Sequence, residues 1–175
     1  LGKLILNEEK IQADLENINQ QMNYLLAKVE TGEFQLEINR ANTEIADKNF
    51  SEAMLIFNRI SLRYPNNPSV LEARKNALQT IENAYLSKIQ SSDFMVALAA
   101  VKELQGVDPS FIQQYKNMEE LLQNKAFEQY IGYAQNSIQS RDSNKAKEWL
   151  DALAPYQFVN SAKYQTTLNS IGENI

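Results

Sequence analysis

The chain has 175 residues, 43% of them apolar, which is enough to bury a continuous core in one ordinary domain length. It contains no cysteine and no histidine, which excludes disulfides, thiol nucleophiles, imidazole bases and the zinc sites built from either, and no cofactor is expected. Seventeen basic against 22 acidic residues leave a net charge of −5, the wrong sign for a phosphate-backbone binder, so no nucleic-acid partner is expected. Four prolines and five glycines in a chain rich in Ala, Leu, Glu, Gln, Lys and Asn point to an all-α fold. No stretch reaches the roughly 18 apolar residues of a bilayer span. Attachment to a membrane would therefore require a segment upstream of Leu1, and the compartment is left open.

The acidity is local. Residues 1–52 carry five basic and ten acidic side chains, whereas residues 53–175 carry twelve of each. In the first segment Leu4, Ile11, Leu15, Ile18, Met22, Leu25 and Val29 recur at spacings of three and four, interrupted only by Glu8. This predicts a helix of about 28 residues, roughly 42 Å long, with a bend at Thr31-Gly-Glu33. The flanking positions Asn7, Gln12, Asp14, Asn19, Gln21, Leu26 and Lys28 are mostly uncharged and select no partner by charge. The stripe fits a homo-oligomer formed through residues 4–29, or a first helix covered by the rest of the chain. Residues 1–33 are read as a coiled-coil-like segment and residues 34–175 as the folded helical domain.

Prolines 65, 68, 109 and 155 punctuate that domain. Two long helices are expected between them, one with Leu71, Leu78, Ile81, Tyr85 and Ile89 on its apolar stripe, the next with Phe111, Tyr115, Met118, Leu122, Ala126, Tyr130, Tyr133 and Ile138. Shorter helices alternate with them at 51–62, 94–105 and 143–154, opening after Asn49, Asp93 and Asp142, whose side chains can accept from first-turn amides. Superposing Ala53, Ala97 and Ala146 aligns the short helices. Phe50, Phe94 and Ser143 stand three before, Phe57, Val101 and Leu150 four after, and Ile60, Leu104 and Leu153 seven after. Ile45, Ile89 and Ile138 lie eight before, in the preceding helix. A small residue at the centre lets two helix backbones approach, and the larger ones fill the layers on either side.

This pattern resembles the second helix of the tetratricopeptide repeat. Asn49-Phe-Ser-Glu-Ala53 through Tyr64-Pro-Asn-Asn67 and Asp93-Phe-Met-Val-Ala97 through Val107-Asp-Pro109 match it, and a third copy keeps Asp142, Ala146, Leu150 and Leu153. The copies stand 44 and 49 residues apart, against about 34 in the regular repeat, and Lys48, Ser92 and Arg141 occupy the usual inter-helix glycine position. The resemblance implies a right-handed α-solenoid of elongated antiparallel hairpins, closed by a capping helix from Ser161 to Ile171. It also implies a concave face with Asn42, Glu82, Gln90, Gln135 and Gln139 among its polar contacts, suited to the backbone of another protein or peptide. A coiled coil joined to such repeats looks like certain bacterial cell-envelope proteins, which implies a periplasmic or membrane-anchored extracytoplasmic location.

Candidate chemistry is thin. Glu8-Glu9 and Glu119-Glu120 are adjacent on helices and point about 100° apart, so neither pair converges on one bond, and with Asp108 they make no catalytic set. Arg59, Arg63, Arg74 and Lys75 around Tyr64 read as a solvated edge or as a dock for an acidic peptide. Trp149, Tyr156 and Phe158 beside Leu150, Leu153 and Val159 form either an exposed patch with Trp149 as its anchor, or a surface that the last helix covers through Tyr164, Leu168 and Ile171. The expected role is a non-enzymatic protein–protein interaction scaffold. The alternative is a coiled-coil oligomer or stalk in which the repeats are spacers.

Overall fold

The computed structural model describes residues 2–173, and among these every element is helical. The order is α1 (Gly2–Ala46), α2 (Phe50–Arg63), α3 (Pro68–Ile89), α4 (Phe94–Val107), α5 (Ser110–Gln139), α6 (Ser143–Leu153), a 3-10 segment (Ala154–Val159) and α7 (Ser161–Glu173). Two compact units, 1–77 and 78–175, divide within α3.

In the first unit α1 is one unbroken helix of 45 residues, and the bend expected at Thr31-Gly-Glu33 does not occur. Gly32 takes an ordinary helical conformation with open space around it, and a single glycine costs a helix only about 1 kcal/mol. Burial begins after it. Phe34, Ile38 and Ala41 are enclosed against Ala53, Met54, Phe57 and Ile60 of α2, and the Phe34 ring meets Tyr64 edge-on at 5.5 Å. Asn67 accepts from the amides of Ser69 and Val70 and so opens α3 ahead of Pro68, where a missing N–H is harmless. In this half of α3 the buried residues are Val70 and Ala77, each one position before the expected Leu71 and Leu78. Leu71 is exposed and Leu78 half-buried.

The second unit is organised around α5, which packs on α4, α6 and α7. Its expected stripe is buried at Phe111, Tyr115, Leu122, Ala126 and Tyr130, while Met118 and Tyr133 remain largely exposed. A second stripe of Phe127, Ile131 and Ala134 is also buried, because a helix with neighbours on two sides needs two apolar faces. Asp108, the carboxylate weighed above for chemistry, is buried and accepts from the amide and hydroxyl of Ser110, so it starts α5 as a cap. On α7, Tyr164 and Ile171 are buried as expected. Leu168 lies at the margin and Thr167 is enclosed in its place, its hydroxyl satisfied by the carbonyl of Lys163.

The three aligned alanines all have zero exposure, and so do Phe57, Val101, Leu104 and Leu153 in the following layers. Ile60 and Leu150 are nearly as enclosed, and of the residues eight before, Ile89 is buried and Ile45 and Ile138 half-buried. Phe50 and Phe94 are half-buried at the start of their helices.

The turns ahead of α2 and α6 share one geometry. The Lys48 amide donates to Ile45 and the Asn49 amide to Glu44; equivalently, Arg141 donates to Ile138 and Asp142 to Ser137. This is the paired closure of a helix C-terminus around a left-handed residue. Lys48 and Arg141 have φ of 62° and 58°, at two of the three positions where the repeat pattern would put glycine. Asp142 then accepts from the Lys145 amide. Asn49, expected to cap α2 in the same way, instead donates its side-chain amide to Glu44 at 2.9 Å and makes no cap bond. The turn ahead of α4 is closed differently, by Gln129 of α5: its carboxamide donates to the Ser92 carbonyl at 2.8 Å and accepts from the Phe94 amide at 2.9 Å.

Two stability predictions follow. Ala97→Leu should overfill the crossing and lower stability by about 1 to 3 kcal/mol in urea titration, and an unchanged midpoint would contradict the close approach. Lys48→Gly and Arg141→Gly should each raise stability by about 0.5 to 1 kcal/mol by relieving the left-handed conformation, whereas glycine at the right-handed Ser140 should not.

Candidate functional site

The feature that most needs an explanation is the surface of α1 before Phe34. Every residue from Gly2 to Glu33 is exposed. The seven seam residues from Leu4 to Val29 retain between 51 and 68% of their surface, and Ile5, Leu6, Tyr24 and Leu26 beside them are similarly open. Within the first unit α2 does not cover the stripe, and its apolar side chains stand exposed. Few single elements leave so many large apolar side chains open to solvent along one face. Tyr24 carries the ammonium of Lys28 at 6.0 Å from its ring.

Directly below this stretch, α1 and α2 form a cleft of about 620 Å³ lined by Glu33, Phe34, Glu37, Arg40, Arg59 and Tyr64 among others. Glu37 pairs with Arg59 at 2.5 Å and with Arg40 at 3.2 Å; Glu33 pairs with Arg63 at 2.8 Å and accepts from the Tyr64 hydroxyl at 3.3 Å. The basic cluster read from the sequence around Tyr64 is thus largely neutralised from α1, and Arg74 donates to Asn58 of α2 at 3.1 Å. These carboxylates lie far apart in sequence from their arginines, which is why the segment reads as a basic patch until the helices are paired. Exposed pairs of this kind contribute about 0 to 1 kcal/mol each and serve mainly to set how α1 lies on α2.

In the second unit Trp149 is half-buried, so it is not the free anchor that an exposed patch would require. Its ring lies edge-on to Tyr130 at 5.2 Å and tilted on Tyr133 at 4.9 Å, with the Lys145 ammonium over it at 4.9 Å. Tyr156 and Val159 pack on the same core, leaving Phe158 as the open member of the group.

Of the polar residues assigned to a concave face, Asn42 is exposed in the first unit, and Gln90, Gln135 and Gln139 are exposed in the second. Glu82 is engaged within the second unit: it accepts from the Tyr115 hydroxyl and from the Gln114 amide at 3.1 Å, tying α3 to α5. The same device recurs where Tyr85 donates to Glu103 at 3.2 Å and Tyr130 donates to both oxygens of Asp93, at 3.0 and 3.1 Å. Asp93 also caps α4 by accepting from the Met95 and Val96 amides. Burial, reinforced by the carboxylate on which each hydroxyl rests, raises these phenols above their ordinary range, Tyr130 to about 12 and Tyr115 further.

Among the described residues no group of acidic side chains is placed to hold a metal ion, and no helix is long and apolar enough to cross a membrane. Comparison with protein-family models, with curated proteins and with solved structures finds no significant match.

The tyrosine ties set an alkaline limit. A phenol whose pKa is higher in the folded than in the unfolded chain stabilises fully below pH 10 and loses that contribution as pH rises toward its folded value. The urea midpoint should therefore fall between pH 10 and about 12. Tyr130→Phe should cost about 0.5 to 1.5 kcal/mol at pH 7 and flatten part of that fall; an equally steep fall in the variant would remove Tyr130 from the account.

Proposed function

We propose that the protein is a non-enzymatic assembly scaffold: copies associate through residues 4–29 of α1, and the helical hairpins that follow present surfaces to another protein. The supporting observation is the contrast within one helix. From Phe34 onward α1 is packed on α2, while the preceding stretch holds an equally regular apolar seam in water. Seven seam side chains on each copy, at about 1 kcal/mol or more apiece on burial, match or exceed the roughly 4 to 15 kcal/mol that association costs. The positions flanking the seam are mostly uncharged, so they set little electrostatic barrier to a second identical copy.

The three equally enclosed alanines support the finer reading of tetratricopeptide-like hairpins wound into a right-handed solenoid. In that reading the exposed amides of Asn42, Gln90, Gln135 and Gln139 are contacts for an extended peptide. An extracytoplasmic role in a bacterial envelope rests only on the architectural resemblance of a coil joined to such repeats.

Sedimentation equilibrium of the whole chain tests the core of the proposal. The wild-type chain should exceed the monomer mass at micromolar concentration, and Leu15→Asp with Ile18→Asp should return it to monomer. The melting of the hairpins should stay unchanged, because residues 2–33 bury nothing within the chain. A wild-type chain that remains monomeric at the highest attainable concentration would refute self-association.

A further inference from the structure

We infer that the copies pair antiparallel, as a two-fold symmetric dimer of α1 helices; this rests on the self-association proposed above and goes beyond it to orientation. The steps of four and three fix the heptad register, with Leu4, Ile11, Ile18 and Leu25 at d and Glu8, Leu15, Met22 and Val29 at a. The positions flanking d are Ile5, Gln12, Asn19 and Leu26, and those flanking a are Asn7, Asp14, Gln21 and Lys28.

In a parallel pair each residue meets its own copy. Glu8 would face Glu8 in one core layer, two like charges brought together, and Leu26 would lie beside Gln21. Reversing one helix about the middle of the seam changes every one of these meetings. Leu4 then layers with Val29, Ile11 with Met22, and Leu15 with Ile18, so the core remains apolar throughout its centre. Glu8 falls opposite Leu25, and the two Glu8 carboxylates are separated along the seam instead of meeting in one layer. The flanks sort themselves as well: Ile5 meets Leu26, and Gln12 meets Asn19. The pattern is thus close to palindromic about residues 16 and 17, which is what an isologous two-fold contact requires. Ile5 and Leu26 are among the exposed apolar residues of α1. Nine apolar side chains per copy would cover on the order of 1,600 Å² in total, the size of an ordinary specific interface. The overlap ends at Val29, just before Phe34, where α1 begins to pack on α2. Each hairpin would thus sit at its own end of the coil, with no need for the two to share space.

The absence of native cysteine makes the test direct. Lys3→Cys and Asn17→Cys both place a spin label on the outer face of α1, and pulsed dipolar spectroscopy on the full chain reads the distance between copies. Asn17 lies at the centre, so its labels should be close in either orientation, within about 20 Å. The Lys3 labels should stand about 40 Å apart in the antiparallel pair, from 1.5 Å of rise per residue. A short Lys3 distance beside a short Asn17 distance would overturn the orientation and leave self-association standing. No dipolar signal at Asn17 together with a monomeric mass would overturn both.

Discussion

The fold depends on enclosing one small side chain in each of the three short helices. Ala53, Ala97 and Ala146 have no exposed surface, and the layers four and seven residues further on are filled by Phe57 and Ile60, Val101 and Leu104, and Leu150 and Leu153. A methyl group takes little room, so a helix enclosed at such a position can lie close to its neighbour while the larger side chains fill the layers beyond. A larger central residue would lift the helices apart and leave those layers underfilled. The interior is built mainly from aliphatic residues, phenylalanine and tyrosine, and its enclosed polar groups, Asp108 and Thr167 among them, are hydrogen-bonded.

Those ends carry the second level of organisation. Short helices of 11 to 14 residues are marginal by themselves and depend on being started and stopped cleanly. Two of the three turns leading into them close around a left-handed residue, and the third is clamped by Gln129 from a helix distant in sequence. Asp93 links both levels, because one carboxylate caps α4 and receives the hydroxyl of Tyr130 from α5. Each such tie leaves a phenol buried beside a carboxylate, an arrangement that tolerates neutral pH and not strong alkali.

Much of this was legible in the residues. The short helices lie within two residues of where their apolar spacing and preceding polar residues put them, and the long α5 is recognisable because its apolar residues persist past every weak breaker. What could not be read was the number of neighbours each helix has. The spacing of Phe111, Tyr115 and Leu122 identifies one face of α5, but the face of Phe127, Ile131 and Ala134 matters only once α6 is known to lie there. In α3 the choice between Val70 and Leu71, or between Ala77 and Leu78, turns on rotation of the helix about its axis, which both patterns permit. Pairing between distant charges was equally hidden, since nothing local assigns Glu33 to Arg63 or Glu37 to Arg59. Glycine proved the weakest sign: Gly32 was read as a bend and is ordinary helix, while Lys48 and Arg141 adopt the conformation glycine favours. In those turns the two backbone hydrogen bonds offset the strain of a side chain in the left-handed region.

The exposed stretch of α1 follows from the same physics taken in the opposite direction. An isolated helix of some 30 residues gains little from hydrogen bonds that water can replace, and this one spends its best apolar residues on a face that the chain does not cover. Were the face meant for solvent, polar residues would serve it better and hold the helix as well, since Gln, Glu and Lys have propensities close to that of Leu. Keeping Leu15, Ile18, Met22 and Leu25 in register over about three turns is therefore a constraint that folding of the single chain does not impose. Glu8 sharpens the point. Within one chain it is an ordinary surface carboxylate, and only when a second helix lies along the seam does its position become costly in one orientation and harmless in the other.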